Sequence, residues 1–229
     1  MKRSDVNRLI DEALSFFDKH KFKLPHWACW TANDWHESKA EAAEVFNHGL
    51  GWNLTDFGSG QFDKQGLLLF IIRNGLLKHN TPQTSKTYAE KAMIVRPGQV
   101  TPWHFHWMKT EDLINRGGGR LEVELGWVNE DEKSIADRPV VVQVDGVSKK
   151  LATGEKLVLE PGESVCIPPM LCHQFCGCAR DEAVLAGEVS SLNDDSTDNC
   201  FIHGCGARTI EEDVDTKYLL LGEYEKAKA

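Results

Sequence analysis

Pro102-Trp103-His104-Phe105-His106-Trp107-Met108-Lys109-Thr110-Glu111, followed closely by Gly117-Gly118-Gly119, is the stretch from which the fold is read. Two histidines one residue apart share a face of a β-strand, because successive side chains alternate between faces, and a glutamate five positions further on can swing round to join them. That is a metal site in outline. Further along, Pro161-Gly162-Glu163-Ser164-Val165-Cys166-Ile167-Pro168-Pro169-Met170-Leu171-Cys172-His173 can deliver a third imidazole from a different strand.

Outward from this stretch the pattern is one of short strands. Leu67-Leu68-Leu69-Phe70-Ile71-Ile72 is an apolar run bounded by glycines and reads as a buried strand. Strands are predicted over 88–96, 99–107, 120–127, 139–144, 155–160, 164–167, 173–176 and 183–189. Turn signals at Arg96-Pro97-Gly98, Asp145-Gly146, Thr153-Gly154 and Glu160-Pro161-Gly162 separate them. Many short strands at this spacing specify a sandwich or barrel.

Before the β region, Val6, Leu9, Ile10, Ala13, Leu14 and Phe17 stand at helical spacing behind Ser4, the expected N-cap of an amphipathic helix packed on a larger body. A second helix is predicted to open at Thr31-Ala32-Asn33-Asp34 and to end near Gly49. Trp27, Trp30 and Trp35 read as packing residues. His20, His26, His36, His48 and His79 lack a partner at ligand spacing and read as surface or capping histidines. The chain is expected to form one domain over 1–229, with a helical extension at 1–50, a barrel at 51–190 and a solvated acidic arm at 191–229. Within that arm Tyr218-Leu219-Leu220-Leu221 reads as a last strand or a short helix.

The 229 residues carry a formal charge of -9 and a pI near 5.5. An acidic chain with no visible basic face does not suit nucleic acid, where phosphate contacts dominate affinity. No apolar run approaches the ~20 residues needed to cross a bilayer, so no membrane partner is expected and the compartment is expected to be cytoplasmic. Seven scattered cysteines do not resemble a disulfide scaffold and read as reduced thiols. Cys172, Cys176 and Cys178 lack a paired Cys-x-x-Cys for a thiolate zinc site, and alternation puts Cys172 and Cys176 on the face opposite His173.

Gly98-x5-His104-x-His106-x4-Glu111-x5-Gly117 and then Gly162-x5-Pro168-x4-His173 resemble the two motifs of the cupin superfamily. The sequence departs from the second motif at Met170, where a glycine is usual, and at Gly177, where an asparagine is usual. The segments 104–119 and 193–199, with the order of helices, barrel and acidic tail, resemble the D-lyxose ketol-isomerase family over nearly the whole chain. The resemblance implies a mainly β fold with a cupin-type barrel and N-terminal helices packed outside. It also implies a manganese-dependent aldose–ketose isomerase of D-lyxose and D-xylulose, and to a lesser degree of D-mannose and D-fructose, usually a homodimer. His104, His106, Glu111 and His173 are its expected ligands.

From the residues alone, three imidazoles and a carboxylate suit Mn, Fe, Co, Ni or Zn. Aldose isomerisation then needs a base within hydrogen-bond reach of the moving proton. Lys109, between two expected ligands, is a candidate catalytic group or an exposed loop lysine. Glu188 is the base if its strand face lines the barrel and a solvated residue otherwise. Glu122 and Glu124 are expected to face outward. Glu211 is a third catalytic candidate, on the premise that Glu211-Glu212-Asp213 folds over the barrel mouth together with Arg208. Lys91, Arg208, Glu212 and Asp198 are the candidate sugar-binding residues, Lys91 and the acidic run having surface positions as their plain alternative. A cupin Fe(II) dioxygenase, which calls for a drier pocket with fewer lysines and carboxylates, and a non-catalytic sugar-binding cupin are the rival readings.

Overall fold

The computed structural model describes residues 1–38, 40–76, 86–192, 194 and 196–224, so His79, Asn193 and Asp195 lie outside the described residues. The chain begins with α1 (Arg3–Lys19), a short 3-10 turn (His26–Cys29), α2 (Ala32–Glu37) and α3 (Ala43–Asn47). Thirteen strands follow among the described residues: β1 (Gly51–Thr55), β2 (Leu67–Arg73), β3 (Tyr88–Val95), β4 (Thr101–Phe105), β5 (Glu111–Gly118), β6 (Leu121–Trp127), β7 (Val140–Val144), β8 (Val147–Leu151), β9 (Lys156–Leu159), β10 (Ser164–Ile167), β11 (Leu171–Gly177), β12 (Val184–Ser191) and β13 (Cys200–Phe201). One sheet runs β1-β2-β3-β12-β5-β10-β7-β8 and the other β13-β4-β11-β6-β9. The strand pairs in both are antiparallel.

The two sheets face each other and share one core, with Leu69, Ile71, Met93 and Leu113 from the large sheet against Val123, Leu125, Leu171 and Phe175 from the small one. β2 explains why its sequence is apolar without alternation. Leu67, Leu69 and Ile71 enter the inter-sheet core, while Leu68, Phe70 and Ile72 meet Val6, Leu9, Ile10, Ala13 and Phe17 of α1 on the outer face. A strand covered on both sides needs apolar residues at every position.

Several local expectations change. Arg3, not a residue after Ser4, opens α1, and the preceding Lys2 makes no side-chain cap. The Ser4 amide and hydroxyl instead donate to Asp213. The second helix splits into α2, closed at Ser38 after a Thr31/Asp34 capping box, and α3. β1, β5, β8 and β13 are not apparent as strands in the sequence. Glu111-Asp112-Leu113-Ile114-Asn115-Arg116 has little apolar alternation, and β8 is a polar edge strand, Val147-Ser148-Lys149-Lys150-Leu151, protected by its lysines. His48 is buried, its Nδ1 at 2.7 Å from the Asn74 carbonyl oxygen, and is not a surface histidine. The arm is not simply solvated: Tyr218, Leu219 and Leu220 are buried without forming a strand or helix, and Leu221 N donates to Trp52 O.

Other expectations hold. Trp27 and Trp30 pack around Trp35, with ring centroids 5.9 and 4.7 Å away. Glu122 faces outward and pairs with Lys156 at 2.7 Å. All seven cysteines are free thiols. Met170, at the usual glycine position of the second motif, has φ 65°. That left-handed conformation is costly for a side chain with a Cβ and accounts for the ordinary preference for glycine there.

Candidate metal centre and cavity

β4 and β11 are neighbours in the small sheet, and their register places His104 opposite His173. Alternation carries His106 to the same face as His104, and Phe105 points the other way into a small cluster with Cys172 and Val128. Glu111 opens β5 in the opposite sheet. One ligand atom from each of His104, His106, Glu111 and His173 lies within 4.8 Å of the others, and all four residues are buried.

Each imidazole is turned by its Nδ1. His104 Nδ1 lies 2.8 Å from Pro102 O, His106 Nδ1 2.5 Å from Asp198 O and His173 Nδ1 3.2 Å from Leu171 O. A carbonyl only accepts, so Nδ1 of His104 and of His106 carries the proton and their Nε2 atoms keep their lone pairs, while His173 Nε2 lies 2.9 Å from Glu111 Oε1. Desolvation is the largest influence on His104 and His106. It lowers His104 well below the ordinary histidine value and His106 to about 4, so both rings are neutral near pH 7. Burial pushes the Glu111 carboxyl upward, but the Lys109 ammonium and His173 outweigh it and hold Glu111 well below the usual carboxylate range.

Beside the cluster runs a row of alternating charges. Lys91 Nζ is 3.1 Å from Glu188 Oε1, the same oxygen is 3.0 Å from Lys109 Nζ, and Lys109 Nζ is 2.6 Å from Glu111 Oε2. Register explains it, since Glu188 on β12 lies directly opposite Lys91 on β3 and opposite Leu113 on β5. All four members are buried, and two cations alternating with two anions make that burial tolerable.

These groups open on a cavity of about 500 Å³ between the sheets. Lys91, Lys109, Glu188 and Arg208 line it together with the four clustered residues. Arg208 reaches it from the C-terminal segment, where Nη1 donates to Asn53 Oδ1 at 2.7 Å and Nη2 to Leu221 O at 3.0 Å. The other tail candidates are elsewhere. Glu211 is exposed and its backbone pairs with Lys2 and Arg3, while Glu212 meets Arg3. Arg3 and the Lys2 bridge hold the acidic run against the start of α1, and neither Glu211 nor Glu212 lines the cavity.

Asp198 is buried beside the site and does not line the cavity. Its Oδ1 accepts Trp107 N at 2.7 Å and Met108 N at 2.9 Å, and its Oδ2 accepts Lys109 N at 2.9 Å. With its carbonyl on His106, this one residue fixes the loop carrying His106, Lys109 and Glu111.

The family model for D-lyxose isomerase matches residues 1–224. The chain is 44% identical over 228 residues to a D-lyxose/D-mannose isomerase of Escherichia coli O157:H7, covering 99% of both chains. It is 42% identical to the D-lyxose/D-mannose isomerase of Serratia proteamaculans, covering 98% of both. The chain belongs to the D-lyxose isomerase family. Among solved structures, the L-ribose isomerase of Cellulomonas parahominis with L-ribose matches with a TM-score of 0.60 at 17% identity, over 92% of this chain and 98% of that one, a likeness of fold.

Within this member of the D-lyxose isomerase family, the cavity includes residues that sequence reasoning did not single out. Asn53 and Thr55 come from β1, Phe201 lies against His104 with Phe57 packed on Phe201, and Glu223 comes from the last described turn. Nothing local marks them. Phe201 stacks on the His104 ring at 5.3 Å because β13 pairs with β4, a contact across almost a hundred residues.

Proposed function

We propose that this chain interconverts D-lyxose and D-xylulose, and D-mannose and D-fructose, with Glu188 as the group that moves the proton between C2 and C1. The observation that carries this reading is a cavity-lining carboxylate, Glu188, held between two lysines beside four convergent ligand atoms. The residues fit a divalent ion. His106 Nε2 is buried and has no hydrogen-bond partner among the described residues, an arrangement that is unfavourable for a polar nitrogen unless a cation accepts its lone pair. His104, His106, Glu111 and His173 would hold the ion, and the mixed N and O set suits Mn2+ among several first-row metals. When bound, the ion supplies Lewis acidity that disperses negative charge developing on the sugar oxygens.

The chain's own groups perform the rest. Glu188 removes the proton from C2 of the open-chain aldose and returns it to C1 while the O2 hydroxyl proton passes to O1, so one carboxylate serves as base and then acid on one face of the enediol. Lys91 and Lys109 clamp its Oε1 and keep the carboxylate aimed at the cavity. Lys109, also bonded to Glu111, is placed to stabilise charge on a sugar oxygen. The number of charged groups in the cavity favours a polyhydroxylated substrate over the dry pocket expected of a dioxygenase. The family resemblance carries the remaining assignments: Mn2+ as the native ion, one cupin domain over the whole chain, a homodimer and a cytoplasmic location. No helix among the described residues is long and apolar enough to cross a membrane.

The test is D-lyxose turnover by the Mn2+-loaded protein in heavy water, with Glu188→Gln alongside. Wild type should place solvent deuterium in the product. Glu188→Gln should keep its bound metal and lose at least about 100-fold in kcat, the scale of general acid–base catalysis. Full turnover by the variant, or by metal-stripped wild type, would refute the assignment.

A further inference from the structure

The wall of the cavity contributed by the C-terminal segment has a charged group that proton transfer does not use. Glu223 lines the cavity but is buried, and the Arg3 guanidinium forks onto it, Nη2 to Oε1 at 2.5 Å and Nη1 to Oε2 at 3.1 Å. Leu220 N donates to Oε2 at 3.0 Å. Arg3, at the start of α1, is 0% exposed, and its Nε and Nη2 also reach Glu212 at 2.8 Å each. A guanidinium removed from water is strongly unfavourable unless carboxylates meet its donors, and its planar fork fixes both carboxylate oxygens at once. Arg3 therefore sets where the Glu223 carboxylate sits. Arg208 and Asn53, bonded to each other, complete this wall.

Its position relative to the chemistry follows from the sheet. Asn53 is on β1, three strands from the β12 strand that carries Glu188. At ~4.8 Å per strand that is roughly 14 Å along the curved sheet. The single cavity joins the two ends. A sugar with C1 and C2 at Glu188 directs its remaining hydroxyls toward Asn53, Arg208 and Glu223, and an ionised carboxylate is an acceptor suited to hydroxyl donors.

Resting on the isomerase reading above, we propose that Glu223 accepts hydrogen bonds from the hydroxyls at the end of the sugar remote from C1, and so sets the preference between five- and six-carbon aldoses, with Arg3 as its positioning residue. D-Mannose differs from D-lyxose by one hydroxymethyl group at that end, so the pair reads the subsite directly. Steady-state kinetics of the Mn2+-loaded protein on both sugars, with metal content and thermal melting, test it. Glu223→Gln should raise KM for D-lyxose roughly 10- to 100-fold, the scale of a lost hydrogen bond to a charged group. It should leave kcat within about threefold and bound metal unchanged, and should shift the D-lyxose to D-mannose ratio of kcat/KM. Arg3→Lys keeps the charge but loses the fork, and should move KM and the ratio in the same direction by less. A folded Glu223→Gln with wild-type KM and wild-type sugar ratio overturns the proposal, as does a fall in kcat at constant KM. If the Arg3 variant does not fold, Glu223→Gln and Glu223→Asp, with Arg3 in place, decide the matter. Wild-type protein inactive on both sugars would refute the isomerase reading and this subsite with it; active wild type with unaltered variants refutes the subsite alone.

Discussion

Replacing Asp198 by asparagine should damage metal binding although Asp198 is not a ligand. Its carboxylate accepts the amides of Trp107, Met108 and Lys109 at 2.7, 2.9 and 2.9 Å. In the asparagine variant one side-chain oxygen still accepts Trp107 N and Met108 N, but the amide nitrogen turns a donor toward Lys109 N. That replaces a charge-assisted hydrogen bond with two opposed donors in a buried place, a cost of about 2–3 kcal/mol by the usual scale for an unsatisfied buried donor. The cost falls on the loop that carries His106, Lys109 and Glu111, so it should appear as local loosening before global unfolding. Mn2+ affinity, measured by competition with a chelator, should weaken roughly 10- to 100-fold, as expected when a group that orients ligands is lost. The apo-protein melting temperature should fall by about 4–12 °C at most, at 2–4 °C per kcal/mol for a chain of this size. Wild-type Mn2+ affinity in Asp198→Asn would refute the reasoning. A rise in sugar KM with metal affinity intact would make Asp198 a substrate group instead.

The cluster also makes the apo-protein acid-sensitive. His106 titrates at about 4 in the folded state against an ordinary value of 6.5, so between these values the unfolded chain binds the extra proton and stability falls as pH falls. The loss is roughly 3 kcal/mol across that window, with Glu111, held low, adding to it below its unfolded value of 4.5. Urea unfolding of apo-protein at pH 7, 5.5 and 4.5 should show the decline, and a flat profile would contradict it. Phe70→Ala should cost about 3–5 kcal/mol by urea titration, since Phe70 is fully buried on the α1-facing side of β2 with Trp27 and Trp52 rings at 4.8 Å. A loss under 1 kcal/mol would mean that the outer core under α1 collapses to fill the gap.

What could be read from the chain was whatever a short-range rule fixes. Alternation along a strand put His104 and His106 on one face, and the turn dipeptides marked where strands end. The apolar run of β2 announced burial on both sides. Elements whose identity depends on neighbours were missed: β5 has little alternation because its polar residues Glu111 and Asn115 point into buried polar surroundings, and β8 is an edge strand with a Ser148-Lys149-Lys150 centre. For the same reason the face on which Glu188 sits stayed open in the sequence, because strand alternation gives two faces and not which is inside.

The sequence by itself determined the chemistry on offer: three imidazoles and a glutamate at the spacing of a metal site, lysines beside them, and a β fold to carry them. Only the tertiary structure decided how those groups are used. It turned Glu188 inward between Lys91 and Lys109, made Asp198 the anchor of the ligand loop, and drew Glu211 and Glu212 away to Arg3. It also brought Glu223 to the cavity against an arginine 220 residues earlier in the chain. Hydrogen bonds to buried groups are set by which segments pack together, and that packing is decided by the shared core of two sheets and a helix, which no window of sequence contains.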